Sequence, residues 1–127
     1  PMKILIIEDE ILIQQSLKKF LEKFGATVTT TASGNEAVNL IKANNYDRIV
    51  CDLMLQDITG FDIIEESKSR YTLDEISKKF VIMTAYPSGQ VLSKAKEYNC
   101  ILLNKPFKSI LEDIKTILNG KEGLNND

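Results

Sequence analysis

Residues 3–10 read Lys3-Ile4-Leu5-Ile6-Ile7-Glu8-Asp9-Glu10. Four consecutive aliphatic side chains, mostly β-branched, predict a strand covered on both faces; a strand with one wet face would alternate. The run stops on acids that no apolar layer covers. The same pattern recurs along the chain. Thr27–Thr31 is a β-branched run. Arg48–Asp52 reads Arg-Ile-Val-Cys-Asp, Phe80–Thr84 reads Phe-Val-Ile-Met-Thr, and Cys100–Leu103 is a fifth short apolar run.

The segments between these runs change period. Ile13, Leu17, Phe20, Leu21 and Phe24 recur at helical spacing, and Gly25 supplies the stop. Ser33-Gly-Asn-Glu36 is a capping-box pattern that opens a helix carrying Ala37, Leu40 and Ile41. A third helix starts near Phe61 and runs through Ile64, and Thr72-Leu-Asp-Glu75 offers a cap for a further turn. Val91, Leu92, Ala95 and Tyr98 mark a fourth helix. Ile110, Leu111, Ile114, Ile117 and Leu118 stripe a fifth, ending at Gly120. Alternating strands and helices predict an α/β fold: a doubly wound, five-stranded parallel sheet with helices on both faces, flavodoxin-like, joined by right-handed crossovers. One domain is expected over residues 2–120. Residues 121–127 read as a polar C-terminal tail or the start of a linker.

Composition narrows the chemistry. The 127 residues are one domain's worth, and 16 basic against 18 acidic side chains give a net charge of −2. No basic excess exists to neutralise a phosphate backbone, so direct nucleic-acid binding is not expected. His is absent, which excludes His bases, His metal ligands and autophosphorylation on His in this chain. Cys51 and Cys100 stand in separate apolar runs with no CxxC pair, so they are expected to be buried, reduced thiols rather than zinc ligands. No run reaches the ~18 apolar residues of a membrane span, and the opening residues do not read as a signal peptide. A cytoplasmic protein without membrane insertion is therefore expected. Pro1, ahead of Met2, is set aside.

Open parallel sheets build their sites at the carboxyl ends of the strands. Those ends carry Glu8 and Asp9, then Asp52, then Thr84, and after the fifth strand Asn104-Lys105-Pro106. Three carboxylates at one rim repel one another and raise each other's pKa, and a hard divalent cation relieves that. Mg²⁺ suits a site of a few carboxylate or carbonyl oxygens completed by water. A metal so held grips phosphoryl oxygens, and Asp52 is then placed to act as a carboxylate nucleophile that forms an acyl phosphate. Lys105 would balance phosphoryl charge, and the Thr84 hydroxyl would donate a hydrogen bond to it.

The sequence resembles the receiver domain of two-component response regulators. The matching pieces are Ile-Leu-Ile-Ile-Glu-Asp-Glu at 4–10, Asp52-Leu-Met-Leu with Asp57 and Gly60 beyond it, Val81-Ile-Met-Thr-Ala85, and Asn104-Lys-Pro-Phe107. They fall in order across residues 2–119. The resemblance implies receiver topology, with Asp52 as phosphoacceptor. It also implies Mg²⁺ held by Glu8, Asp9, Asp52 and the Met54 backbone carbonyl, with Thr84 and Lys105 sensing the phosphoryl group. It implies a cis peptide before Pro106. The implied partners are a histidine kinase or phosphotransfer protein, a downstream effector protein or domain, and a homodimer formed on phosphorylation. Such a module catalyses its own phosphorylation and dephosphorylation without turning over an external substrate. Its output is a changed binding face, which would include Leu92, Leu102 and Ile110.

Three positions depart from the family pattern. Glu8 stands where Asp is commonest, Gln56 replaces a usual Pro, and Leu102 takes a place on strand five where an aromatic is usual. Met54 and Tyr86, two residues beyond Asp52 and Thr84, are bulky and offer no acid or amide to orient water, so slow self-dephosphorylation is expected.

Other readings weigh less. Glu8 and Asp9 also suit a helix N-terminus, with Asp9 as cap. Asp57 and Asp62 read as solvated loop and helix-start acids. A flavodoxin-like cofactor binder would want a Ser/Thr/Gly-rich loop after strand one, where this chain has Glu8-Asp9-Glu10. A haloacid-dehalogenase-type phosphatase would want a second Asp where Met54 stands. A degenerate, non-phosphorylated interaction receiver is the remaining alternative, and all the key side chains are present.

Overall fold

The computed structural model describes residues 1–124, and side chains through Lys121. In chain order the elements are β1 (Lys3–Ile7), α1 (Ile11–Lys23), β2 (Thr27–Thr31), α2 (Gly34–Ala43), β3 (Arg48–Asp52) and α3 (Gly60–Ser67). They continue with α4 (Leu73–Lys79), β4 (Phe80–Thr84), α5 (Gly89–Tyr98), β5 (Ile101–Asn104) and α6 (Ile110–Leu124). The sheet is five-stranded and parallel throughout, in the order β2-β1-β3-β4-β5. Five parallel strands are as the sequence leads one to expect, and the doubly wound, flavodoxin-like arrangement is as the resemblance implied.

The unbroken apolar runs are explained by two cores, one on each face. Leu5, Ile7, Ile49, Cys51, Phe80 and Ile82 pack with Ala37, Ile41, Ile63, Ile64 and Ile76 from α2, α3 and α4. Their strand neighbours Ile4, Ile6, Val50, Val81 and Met83 turn the other way and pack with Leu17 and Leu21 of α1 and Ile114 and Ile117 of α6. The period-2 alternation of strand side chains divides each run between the layers.

Among the described residues six helices, not five, flank the sheet. Thr72 caps α4 with a full capping box: its hydroxyl accepts from the Glu75 N–H at 3.1 Å, and Glu75 accepts from the Thr72 N–H at 3.0 Å. The helix is only seven residues long and buries Ile76 and Ser77. The fifth strand begins one residue late. Asn99 takes a left-handed turn (φ 58°), and the Cys100 N–H closes the end of α5 on the Ala95 carbonyl at 3.0 Å. Cys100 therefore serves the helix end and is half-buried, whereas Cys51 is buried as expected.

α6 breaks at Gly120 (φ 60°) and then continues helical to Leu124; residues 125–127 of the expected polar tail lie outside the described residues. Arg48, at the start of β3, secures this end. Its guanidinium donates to the carbonyls of Ile117 (2.7 Å) and Leu118 (3.2 Å) in α6 and of Lys78 (2.6 Å) in α4. A Cβ at residue 120 would sit 3.0 Å from the guanidinium, so glycine serves both the turn and the close approach.

α5 is held differently from its neighbours. Ala95 is its one buried residue. Val91 and Tyr98 are half-buried against the core, and toward the surface Tyr98 stacks on Phe61 of α3 and donates to the Glu65 carboxylate.

Candidate functional site

β1 sits between β2 and β3, so the chain leaves the carboxyl ends of β1 and β3 in opposite directions and opens a crevice there. Glu8 follows β1 directly, and its side chain is fully buried. Its Oε1 takes the Lys105 ammonium at 2.7 Å, and its Oε2 accepts from the Glu10 N–H at 3.1 Å. Gln14 of α1 fixes the backbone at the same point by donating to the Glu8 carbonyl at 2.9 Å. Asp52 closes β3, also buried, with Oδ2 3.5 Å from the Lys105 ammonium. Asp9 is half-buried beside them. One carboxylate oxygen from each of Glu8, Asp9 and Asp52 lies within 4.8 Å of the other two. Among the described residues this is the one such cluster of potential metal-binding side chains.

The charges explain the electrostatics. Burial pushes the Glu8 carboxyl up to about 7; the Asp52 charge adds to this, and Lys105 and the Glu10 N–H oppose it. Burial likewise raises Asp52, against the pull of Lys105 and the Met54 N–H. Burial alone would lower the Lys105 ammonium, but Glu8 and Asp52 outweigh it and raise it. The Lys105 ammonium pairs with Glu8 and Asp52, Asp9 adds a third carboxylate to the cluster, and every candidate metal donor is a hard oxygen. That set fits a small divalent cation and suits no soft metal.

The other expected residues fall around this centre. Thr84 ends β4, buried, with its Oγ accepting from the Tyr86 N–H at 3.1 Å. Lys105 is followed by a cis peptide to Pro106, as the resemblance implied. Met54 lies two residues past Asp52, bridged to Thr59 across the β3–α3 loop. The side chains of Met54 (59% exposed) and Tyr86 (79% exposed) lie open to solvent, so neither covers Asp52 in this state. Asp9 does not cap α1; that position is Glu10, whose side chain makes no capping bond. Asp62 is a helix-start acid in a full capping box with Thr59. Asp57 is exposed, yet far from idle: it accepts from the Gly34 and Asn35 N–H groups at the start of α2.

Gln14 was not among the residues singled out from sequence. Its spacing was the available signal: it lies three and seven residues before Leu17 and Leu21 on the buried stripe of α1, so its amide needed an internal partner.

The family model for the response regulator receiver domain matches residues 4–122. The response regulator SaeR of Staphylococcus aureus (strain USA300) is 35% identical over 82 residues, which is 65% of this chain and 34% of SaeR. The chain thus matches about a third of the length of such curated relatives. The receiver domain of the Francisella response regulator 1452 superimposes with a TM-score of 0.79 at 29% identity, covering 93% of this chain and 94% of that one. A two-component response regulator from Clostridium difficile gives 0.80 at 26% identity over the whole of both chains. No helix among the described residues is long and apolar enough to cross a membrane. Fold, motif order and family match converge: this chain belongs to the response regulator receiver domains, the phosphoacceptor modules of two-component signalling.

Proposed function

We propose that this chain receives a phosphoryl group on Asp52 from a phosphohistidine of a partner kinase or phosphotransfer protein. An Asp52 carboxylate oxygen attacks phosphorus, the P–N bond breaks, and the departing imidazole takes up a proton. The product is an acyl phosphate. The observation that carries this reading is the clustering of Glu8, Asp9 and Asp52, two of which, Glu8 and Asp52, pair with the Lys105 ammonium. Glu8, Asp9, Asp52 and the Met54 carbonyl would hold Mg²⁺, which when bound supplies positive charge to the phosphoryl oxygens.

The chain's own residues do the rest. Lys105 already bridges Glu8 and Asp52, so it needs only to lean from the Asp52 carboxylate to the phosphoryl group attached there. Thr84 turns its hydroxyl from accepting the Tyr86 N–H to donating toward the phosphoryl group, which draws on the loop after β4. That loop leads into α5, so the response spreads to the face made by α5, β5 and α6. Leu92 is exposed there and Leu102 and Ile110 are half-buried. An effector, or a second copy of the chain, would read that face in the cytoplasm.

The test is incubation with acetyl phosphate and Mg²⁺. Intact-mass spectra should show one added phosphoryl group, labile to alkali and absent from Asp52→Asn. Equal labelling of both proteins would overturn the assignment.

A further inference from the structure

The loop between β3 and α3 carries the Met54 carbonyl; Leu55 and Ile58 rest half-buried on the core, but Met54 itself does not. Leu53 and Gly60 are buried at its ends, while Met54, Gln56 and Asp57 between them are exposed. Two fastenings sit at its base: the Leu53 N–H donates to the Met83 carbonyl and the Gly60 N–H to the Leu53 carbonyl, both at 2.8 Å. A third lies at its far side and reaches another element. Asp57 Oδ2 accepts from the Asn35 N–H at 2.9 Å and the Ser33 hydroxyl at 3.2 Å. Its Oδ1 accepts from the Gly34 N–H at 3.1 Å and from the Ile58 N–H of its own loop at 3.0 Å.

The arrangement answers a need at both ends. The first N–H groups of a helix have no partner inside it. Ser33, the N-cap of α2, already accepts from the Glu36 N–H, which leaves Gly34 and Asn35 to be satisfied from outside. Asp57 satisfies them. The Asn35 N–H above all, with those of Gly34 and Ile58, holds its carboxyl down at about 2, so it stays charged. Beside this polar fastening is a steric one: a Cβ on Gly34 would lie 2.5 Å from Ile58 Cγ1, so Gly34 lets the loop seat directly on α2.

We propose that Asp57 is a positioning residue for the phosphoacceptor site: by tying the β3–α3 loop to α2 it holds the Met54 carbonyl beside Asp52 before metal binds. This rests on the function proposed above. Gln56 leaves the backbone beside it unrestricted, so without Asp57 the loop must be ordered when the metal binds. Groups that hold a ligand in place from behind change metal affinity ~10–100-fold, and one backbone ligand among several puts Asp57 near about tenfold.

The experiment is a Mg²⁺ titration of the full chain by calorimetry, paired with amide hydrogen exchange. Four variants are compared with the parent: Asp57→Ala, Asp57→Asn, Asp9→Asn, and Glu75→Ala, which loses a helix cap remote from the site. Asp57→Ala should bind Mg²⁺ about tenfold more weakly and exchange residues 53–58 faster. Asp57→Asn, keeping Oδ1 and its two donors, should fall between. Glu75→Ala should lower the melting temperature and leave Mg²⁺ affinity unchanged. A dissociation constant for Asp57→Ala within about twofold of the parent, or an equal weakening in Glu75→Ala, would overturn the inference. So would a parent that binds no Mg²⁺. A parent that binds Mg²⁺ but takes no phosphoryl group on Asp52 would sink the signalling function instead, and the order of affinities would still decide the role of Asp57.

Discussion

Glu8→Gln tests the electrostatics of the site directly. In metal-free buffer the folded chain holds the Glu8 carboxyl at about 7, against 4.5 for an ordinary Glu. Between those values the native state keeps a proton that the unfolded state has released. Stability therefore falls as pH rises through this window, by about 1.4 kcal/mol per pH unit. The accumulated loss is about 3 kcal/mol near pH 8 and absent below pH 4.5. The neutral amide has the same shape, keeps an oxygen for Lys105, and carries no such loss. Urea unfolding in EDTA should find the variant close to the parent at pH 5 and more stable by a few kcal/mol at pH 8. Asp57 does not blur the window, because the stability from its lowered carboxyl is complete above 3.8 and lost only as pH falls from there through about 2. Asp52, raised by burial, acts in the same direction as Glu8 but is present in parent and variant alike, so the comparison isolates Glu8. Mg²⁺ added at pH 8 should restore the parent by mass action. Profiles for parent and variant that stay parallel within about 1 kcal/mol would refute the reasoning.

Two further outcomes are expected. Arg48→Ala removes charged donors from the carbonyls of Ile117, Leu118 and Lys78, and should lower unfolding stability by about 2–3 kcal/mol; a loss under about 0.5 kcal/mol would show that water replaces them freely. Met54→Asn with Tyr86→Glu should speed loss of the phosphoryl group by less than about tenfold, since both side chains already stand clear of Asp52; a hundredfold acceleration, measured after donor removal, would show that they close over it once phosphorylated.

The central strands β1, β3 and β4 were legible because each is short, largely apolar and covered on both faces, which leaves a run that no exposed helix imitates; edge strand β2, one Val among four Thr, was legible only from its β-branched residues. Glu8, Asp9, Asp52, Thr84 and Lys105 were legible for a related reason: each is polar where an apolar run stops. Helix α4 shows the limit. Seven residues with one buried aliphatic make no periodic stripe, and only the Thr72–Glu75 cap gave it away. Cys100 misled because apolar composition cannot tell a strand residue from one that closes a helix; the left-handed Asn99 ahead of it decides. The Asp57 contact joins residues 22 and 23 positions apart across two loops, so no local pattern announces it.

The scant burial of α5 has a kinetic meaning. A helix with Ala95 buried and only Val91 and Tyr98 half-buried against the core gives up less apolar contact than α1 or α6 when it lifts from the sheet. Its amides should exchange through local openings well below the free energy of global unfolding, ahead of those of α1 and α6. The expected outcome is a detached minor population in the unphosphorylated chain, read as faster exchange of α5 amides. An energy of about 1.4 kcal/mol delivered through Thr84 and the loop that follows it would change that population tenfold. On the function proposed above, the strength of the output would be set as much by the bracket of Tyr98, Phe61 and Glu65 at the far end of the helix as by the chemistry at Asp52.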